Sequence, residues 1–450
     1  MDSAVNLLEV AALAQNGWIL AAAALIFAML LGFILFERGF VRHGGADSAT
    51  RCLIGLATVM MFYWLIGFGL MFGDSISGWG IVGWTQFAPD IMNALASTTP
   101  EGVRPDLAIF LTFQMLVAVL PVILIANATA GRLRLEGYLL ICLLVSIFVY
   151  PLLGHWMWGG RRAAEAVGWL GALGFVDLAG ASVIFSSSGW CTLALLIVLG
   201  PRIGRFSEDT PAYQSLGTRP TFLILGALLI WVGWFGLAVG NAMLLADYRM
   251  GPIVINLLLG GATGLLAIIP LRIFQNDHQL EMSYLARGLL AGLVAVSAGA
   301  HALHPQSAIM VSAIGVWIML MLDQGLLKLK IDDAVGITPI ALGAGIWGSL
   351  AVALFADGAL LNSGLSTIGQ FGAQLIGVFA TGGCAFLITI LAVGLLDLIF
   401  PFRVSLQDEL EGRRAAESAL NVTLWDLPAV EPLPSSTTPL PQPVPAEDSV

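Results

Sequence analysis

The sequence predicts an all-α polytopic membrane protein with 11 transmembrane helices. Hydrophobic residues make up 58% of the 450 residues, charged residues only 11%, and the mean hydropathy is +0.90. One soluble core could not bury that much apolar surface, so a soluble enzyme is excluded. A bilayer core of about 30 Å needs about 20 apolar residues per helix. The sequence contains 11 such stretches, near 18–37, 52–73, 108–128, 137–153, 175–199, 221–245, 252–272, 288–304, 306–325, 337–356 and 372–399.

The apolar stretches are long and rich in Leu, Ala, Gly and Ile, which favours helices over the alternating pattern of a β-barrel. The first stretch is expected to be a true span. Residues 1–17 contain Asp2 and Glu9 and lack the basic segment that begins a cleavable signal.

The basic residues predict the orientation. With the N-terminus outside the cell, 15 of the 19 Lys and Arg residues fall on the cytoplasmic side, and cytoplasmic loops carry this excess in membrane proteins. We therefore expect an inner or plasma membrane protein with a cytoplasmic C-terminus. The lipid bilayer is the first predicted partner, and no nucleic acid is expected.

The four cysteines fall in or beside the spans without CxxC spacing, so buried thiols are expected and no metal site. The sequence also lacks a phosphate-binding glycine loop and a nucleophile triad. No enzyme activity and no cofactor are predicted.

The C-terminal region divides into two parts after a transmembrane domain of residues 1–401. Residues 402–427 form a predicted cytoplasmic helical tail. Four leucines together with Arg413 and Glu417 recur there at alternating four and three spacing, which fits a short coiled coil or a solvated amphipathic helix. Residues 428–450 contain seven prolines and are expected to be disordered.

Several motifs, which follow one another in the same order as in that family, resemble the ammonium transporter (Amt/Rh) family. They are G-F-I-L-F-E-R-G-F-V-R (32–42), F-Q-M (113–115), A-G-R-L-R (130–134), Y-P-L-L-G-H-W-M-W-G-G (150–160), G-W-F-G-L-A-V-G-N (233–241) and G-I-W-G-S-L-A-V (345–352). The resemblance covers roughly residues 18–412. It implies a homotrimer with one pore per subunit, built from two inverted five-helix repeats and an eleventh helix.

The same resemblance implies an entrance site for ammonium. Trp158 matches the family's cation-binding tryptophan, and an indole face stabilises a cation by about 0.5–2 kcal/mol. Asp177 matches the nearby buried aspartate, which could either attract the cation or brace the backbone. Asn241 falls where the family usually has a hydroxyl, and it can still supply an acceptor.

Below the entrance the sequence departs from the family pattern. The resemblance places Phe113, Val117, Phe185, Leu237 and Ala341 along the pore. Phe185 and Ala341 occupy the positions of the family's paired pore histidines, so both imidazoles are missing. Phenylalanine and alanine can neither hold nor pass a proton, which removes the expected relay.

Asp332 and Asp333 match an acidic pair at the inner start of the tenth helix, where we expect capping and structural roles. The segment F-R-V-S-L-Q-D-E-L-E-G (402–412) resembles the family's cytoplasmic tail, which couples subunits and docks a regulator. A cytoplasmic regulator at residues 402–424 is therefore one predicted partner.

Two functions remain open from the sequence. The first is a channel or transporter for ammonium or ammonia with a degenerate apolar pore, or a pore for another small neutral molecule. The second is a sensor without transport activity, which binds ammonium at the entrance and signals through its C-terminal tail.

Overall fold

The structure is a computed structural model that describes residues 2–40, 45–92, 106–160, 167–206, 219–244, 249–274, 281–361 and 363–411. Across these ranges the regular structure is helical, with only isolated bridges between extended residues. The principal helices are α1 (Asp2–Phe40), α2 (Gly45–Phe62, Tyr63–Gly67 and Phe68–Phe72), α3 (Leu107–Ala128), α4 (Leu135–Leu143, Leu144–Val149 and Tyr150–Trp158), α5 (Ala181–Ser186 and Ser187–Leu199), α6 (Pro220–Leu244), α7 (Met250–Phe274), α8 (Met282–Ser297), α9 (Pro305–Lys328), α10 (Pro339–Ala344 and Gly345–Phe355) and α11 (Thr367–Asp397).

The helices confirm the predicted all-α membrane fold. Among the described residues, nine helices are long and apolar enough to cross a membrane, and α8 and α10 are shorter apolar helices. Large apolar side chains such as Leu391 and Leu395 are exposed on the outside of the protein. Contact with lipid costs such side chains no hydrophobic free energy, whereas contact with water would.

Two of the predicted boundaries were wrong. The apolar stretch 175–199 begins with a loop, and α5 starts only at Ala181. The stretch 288–304 is shifted, because α8 spans Met282–Ser297 and turns follow it. Hydropathy reports burial, and a buried apolar loop gives the same signal as a helix.

Small residues set the distance between helices. An added Cβ at Gly32 of α1 would lie 2.8 Å from Ile230 of α6, and one at Gly226 would lie 2.6 Å from the backbone of Phe36. Membrane helices gain no hydrophobic energy by associating, so close backbone approach through small residues supplies the packing energy. This contact fixes α6, which carries Leu237 and Asn241, against α1.

A buried ion-pair network lies before α10. Asp332 accepts hydrogen bonds from Arg132 Nη1 at 2.9 Å and from Arg202 Nε at 2.7 Å, and Arg205 Nε lies 3.4 Å away. Burial opposes ionisation of Asp332. Arg202, through its hydrogen bonds and its charge, outweighs this effect of burial, and the charge of Arg132 adds to it. Together they hold the pKa of this carboxyl well below its usual range. Asp332 is therefore an ion-pair hub rather than a helix cap.

The C-terminal segment is bonded to the same region. Arg134 N–H donates to Phe402 O at 2.8 Å, and Val404 N–H donates to Arg132 O at 3.0 Å. Arg403 donates to Leu199 O at 2.9 Å. We call residues 402–411 the tail clamp. The rest of the predicted helical tail 402–427 and the predicted disordered end 428–450 lie outside the described residues.

The ion-pair network predicts a large cost for neutralising Asp332. In Asp332→Asn, Arg132 stays buried without a full counter-charge, and burial already lowers the pKa of Arg132 to about 10. We expect a loss of roughly 3–5 kcal/mol in the free energy of unfolding, measured by denaturant titration in detergent. The control Glu136→Gln breaks an exposed pair with Arg134 and should cost less than about 1 kcal/mol. Equal costs for the two variants would contradict the buried network.

Candidate functional site

Trp158 and Asp177, two of the three predicted entrance residues, are in direct contact. Trp158 ends α4 and is fully buried, and its Nε1 donates to the main-chain oxygen of Asp177 at 2.8 Å. The indole edge therefore positions the loop that precedes α5. This contact joins two segments that lie 19 residues apart in the sequence.

The Asp177 carboxylate braces the start of α5. Its oxygens accept the backbone N–H groups of Ala181, Ser182 and Val183 at 2.8, 2.8 and 2.9 Å. These are donors that the first turn of a helix leaves unpaired, and leaving them buried and unpaired would be costly. The bracing role that the sequence left open is thus visible in the structure.

Asp333 likewise accepts three backbone N–H groups, in the turn before α10. It accepts the N–H groups of Val335 at 3.1 Å, Gly336 at 2.8 Å and Thr338 at 2.6 Å. Gly336 has φ of +73°, and Gly180 in the α5 loop has φ of +83°, a conformation that glycine adopts without strain. Each aspartate stands three residues before such a glycine, as expected for helices related by an inverted repeat.

Both helices then begin with wide turns. In α5 the N–H of Phe185 donates to Gly180 O, five residues earlier, at 2.9 Å, and Pro339–Ala344 of α10 has the same π-helical form. π-Helical turns are rare and occur frequently at functional sites. Phe185 and Ala341, which the family resemblance places at the positions of the paired histidines, both lie in these turns.

Phe185 packs face to face on Trp234 of α6. Their ring centroids are 4.8 Å apart and the rings are 8° from parallel. Trp234 Nε1 donates to Ser297 Oγ of α8 at 2.8 Å, which fixes the indole. The structure therefore places a stacked aromatic pair where the family resemblance implies an imidazole.

Helices α5 and α10 cross in close contact beside Ala341. A Cβ added at Gly189 would lie 2.7 Å from Leu342, and one at Gly345 would lie 3.0 Å from the backbone nitrogen of Ser186. Ser182 Oγ and Ser349 Oγ are 2.7 Å apart across the same crossing. Phe185 and Ala341 are each one residue before a contact residue, so both positions belong to this crossing.

The other predicted lining residues are fully buried. Phe113 of α3 packs against Gly240 of α6, where an added Cβ would collide with its ring. Asn241 follows in α6, and its Nδ2 donates to Leu237 O at 2.9 Å. Val117 and Leu237 expose none of their surface. The described side chains at these positions are apolar except for Asn241.

The comparisons with known proteins agree with this architecture. The model of the Ammonium Transporter Family matches residues 17–421. The chain belongs to the Ammonium Transporter Family. An ammonium transporter of Bacillus subtilis is 31% identical over 402 residues, which cover 86% of this chain and 93% of that protein.

Two solved structures share the family fold. The structure of a "Sensor Amt Protein" aligns with a TM-score of 0.82 and 28% identity, over 91% of this chain and 99% of that one. Saccharomyces cerevisiae Mep2 aligns with a TM-score of 0.77 and 24% identity, over 88% of each chain. The Ammonium Transporter Family is one of transporters rather than enzymes, and this chain is a multi-pass membrane protein of that family.

Some residues of this family member were not singled out from the sequence. They include Trp234, which stacks on Phe185, and the Ser182–Ser349 pair. These residues lie on helices that cross, and the spacing of the motifs does not reveal the crossing. Ser187 and Ser188 bond back to Val183 O and Ile184 O, as expected for serines inside an apolar helix. Among the described residues, no group of three or more His, Cys, Asp or Glu side chains could hold a metal ion.

Comparing variants of Asp177 and Asp333 distinguishes a structural role of Asp177 from attraction of the cation. Asp177→Asn and Asp333→Asn each replace an acceptor of three N–H groups, so each should cost about 1–3 kcal/mol of unfolding free energy. If Asp177 also attracts the cation, Asp177→Asn alone should weaken ammonium binding in calorimetry. Equal ammonium affinity in the two variants would limit Asp177 to bracing.

Proposed function

We propose that this protein moves ammonium, as ammonia, across the plasma membrane, with its N-terminus outside and its C-terminus in the cytoplasm. The observation that carries the proposal is the match to the Ammonium Transporter Family over residues 17–421. The retained Trp158 and Asp177 support an entrance site, and Asn241 is its third proposed residue. The family resemblance further suggests a homotrimer.

The apolar lining favours the neutral species. A charge at the centre of a bilayer is expensive, and a channel lowers that cost only with water or polar groups. Val117, Phe185, Leu237 and Ala341 offer a substrate no hydrogen-bonding side-chain atom. We therefore expect ammonium to transfer a proton to water at the entrance, so that the proton stays outside. Neutral ammonia then crosses at a low rate.

Restoring the imidazoles should raise the rate. The double variant Phe185→His, Ala341→His supplies two groups that can accept and donate protons in the α5–α10 crossing. We expect ammonium uptake into proteoliposomes to rise about tenfold or more, since each hydrogen bond to a desolvated substrate contributes roughly 0.5–1.5 kcal/mol.

The variant Phe185→Ala is the control for simple opening of the path. If the aromatic ring only blocks the pore, Phe185→Ala should raise uptake as much as the histidine pair does. An unchanged rate in all variants would show that the path is closed elsewhere and would contradict the proposed placement of these residues.

A second function, ammonium sensing, is favoured by the tail clamp and by the "Sensor Amt Protein" neighbour. Arg403 and Glu409 are joined at 2.9 Å, and Glu409 also accepts Ile203 N–H at 2.8 Å. Arg202, next to Ile203, bonds Asp332 at the start of α10. A movement of α10 would therefore reach the tail through two contacts, Asp332–Arg202 and Ile203–Glu409, which the peptide bond between Arg202 and Ile203 connects. We propose that a cytoplasmic regulator binds around residues 402–424.

Sensing predicts that ammonium changes the protection of the tail clamp. Backbone hydrogen exchange of residues 402–411 should shift on adding ammonium to the wild-type protein. In Arg403→Ala the exchange should be faster by about tenfold or more, because several charge-assisted hydrogen bonds are lost. The control Gln407→Ala removes one exposed bond to Glu411 and should change little. Exchange that is independent of ammonium in the wild type would argue against sensing.

A further inference from the structure

Gln114 of α3 is a buried polar side chain whose amide is unused by the fold. Its exposure is zero, and across the described part of the chain neither its Oε1 nor its Nε2 has a hydrogen-bond partner. Gln374 of α11 is equally buried but fully engaged. The Gln374 amide donates to Ser349 O at 2.7 Å and to Val176 O at 2.9 Å, and it accepts Val176 N–H at 2.8 Å.

An unpaired amide is unfavourable in this position. Buried donors and acceptors without partners cost the full price of their desolvation, and the large majority of buried polar groups in proteins are paired. A methionine or leucine would fill the same volume without that penalty. A small guest molecule beside the amide would provide the missing hydrogen bonds.

The place of Gln114 indicates where such a guest would sit. It follows Phe113, which packs on Gly240 of α6, and it precedes Val117 by three residues, about one helical turn. Four residues earlier, Phe110 contacts Phe72 of α2 with ring centroids 4.8 Å apart. Gln114 thus lies on the same side of α3 as Phe110, which faces α2, and Val117, one of the proposed lining residues.

We propose that the Gln114 amide is a binding station for neutral ammonia, and that it offsets the loss of the two pore histidines. The inference rests on the proposed function and deepens it. Oε1 accepts one N–H of ammonia, while Nε2 donates to its lone pair. Ammonium has four donors and no lone pair, so it would leave Nε2 unpaired. The amide therefore distinguishes the neutral molecule from the ion. Water has both a donor and a lone pair, and it is the competitor.

The test compares Gln114→Met, which is nearly isosteric, with Thr112→Val on the same helix. Thr112 is exposed and bonds only within α3, to Ala108 O. Two quantities are measured on the full chain. One is ammonium uptake into proteoliposomes. The other is the shift of melting temperature when pH is raised at constant total ammonium, which increases the neutral fraction. A series without ammonium is subtracted from the melting data.

We expect Gln114→Met to lower uptake about tenfold or more and to lose the ammonia-dependent melting shift. Without ammonium it should melt at or above the wild-type temperature, because two unpaired polar atoms have been removed. Thr112→Val should match the wild type in both measurements. Gln114→Leu should repeat the result if the methionine variant misfolds.

The outcomes separate the station from the transport function. Equal uptake and equal melting shifts in wild type and Gln114→Met would overturn the station and leave transport intact. A wild type without uptake, but with a melting shift that Gln114→Met abolishes, would sustain the station and overturn transport. A wild type with neither signal would overturn both and leave water as the guest of Gln114.

Discussion

Backbone N–H groups inside a membrane have no water to bond with, and this constraint governs how α5 and α10 are built. Both helices begin inside the protein rather than at its surface, so the donors of their first turns need acceptors nearby. Asp177 accepts three N–H groups of the first turn of α5, and Asp333 accepts three in the turn that leads into α10. A carboxylate is a strong acceptor, and the positive end of the helix compensates its charge. The crossing that holds Phe185 and Ala341 depends on these two braces.

At the crossing of α5 and α10, close apolar packing takes the place of polar side chains. Glycines at 189 and 345 let the two helices approach to backbone contact, and the wide turns change the direction of the side chains that follow. In a family member with imidazoles there, the same geometry would present them to a substrate. Here it presents a phenylalanine stacked on Trp234 and a methyl group. The family resemblance assigns the paired histidines to these two positions, so by that assignment apolar groups replace imidazoles at an otherwise similar helix crossing.

The sequence predicted the fold well because each span carries its own signal. Hydropathy located the helices, and the ordered motifs gave the family. It failed at 175–180, because Asp177 and Gly180 form a buried loop whose composition is as apolar as a helix. It also assigned capping to both Asp332 and Asp333. Only Asp333 caps, since Asp332 meets arginines that are 127 or more residues away in the sequence. The unused amide of Gln114 could not be recognised from sequence, because whether a buried polar group has a partner is a property of the packed structure.

The tail clamp determines how tension would travel through the molecule. Residues 402–404 bond to the loop after α3, and Arg403 bonds to the end of α5, so the C-terminal segment is attached to the first half of the chain. A pull applied beyond residue 411 would load the segments that follow α3 and α5 before it loads α11. Extraction from the bilayer by a molecular motor at that end would then meet resistance from helices of both halves together. The chain would leave the membrane in a few large cooperative steps rather than one helix at a time.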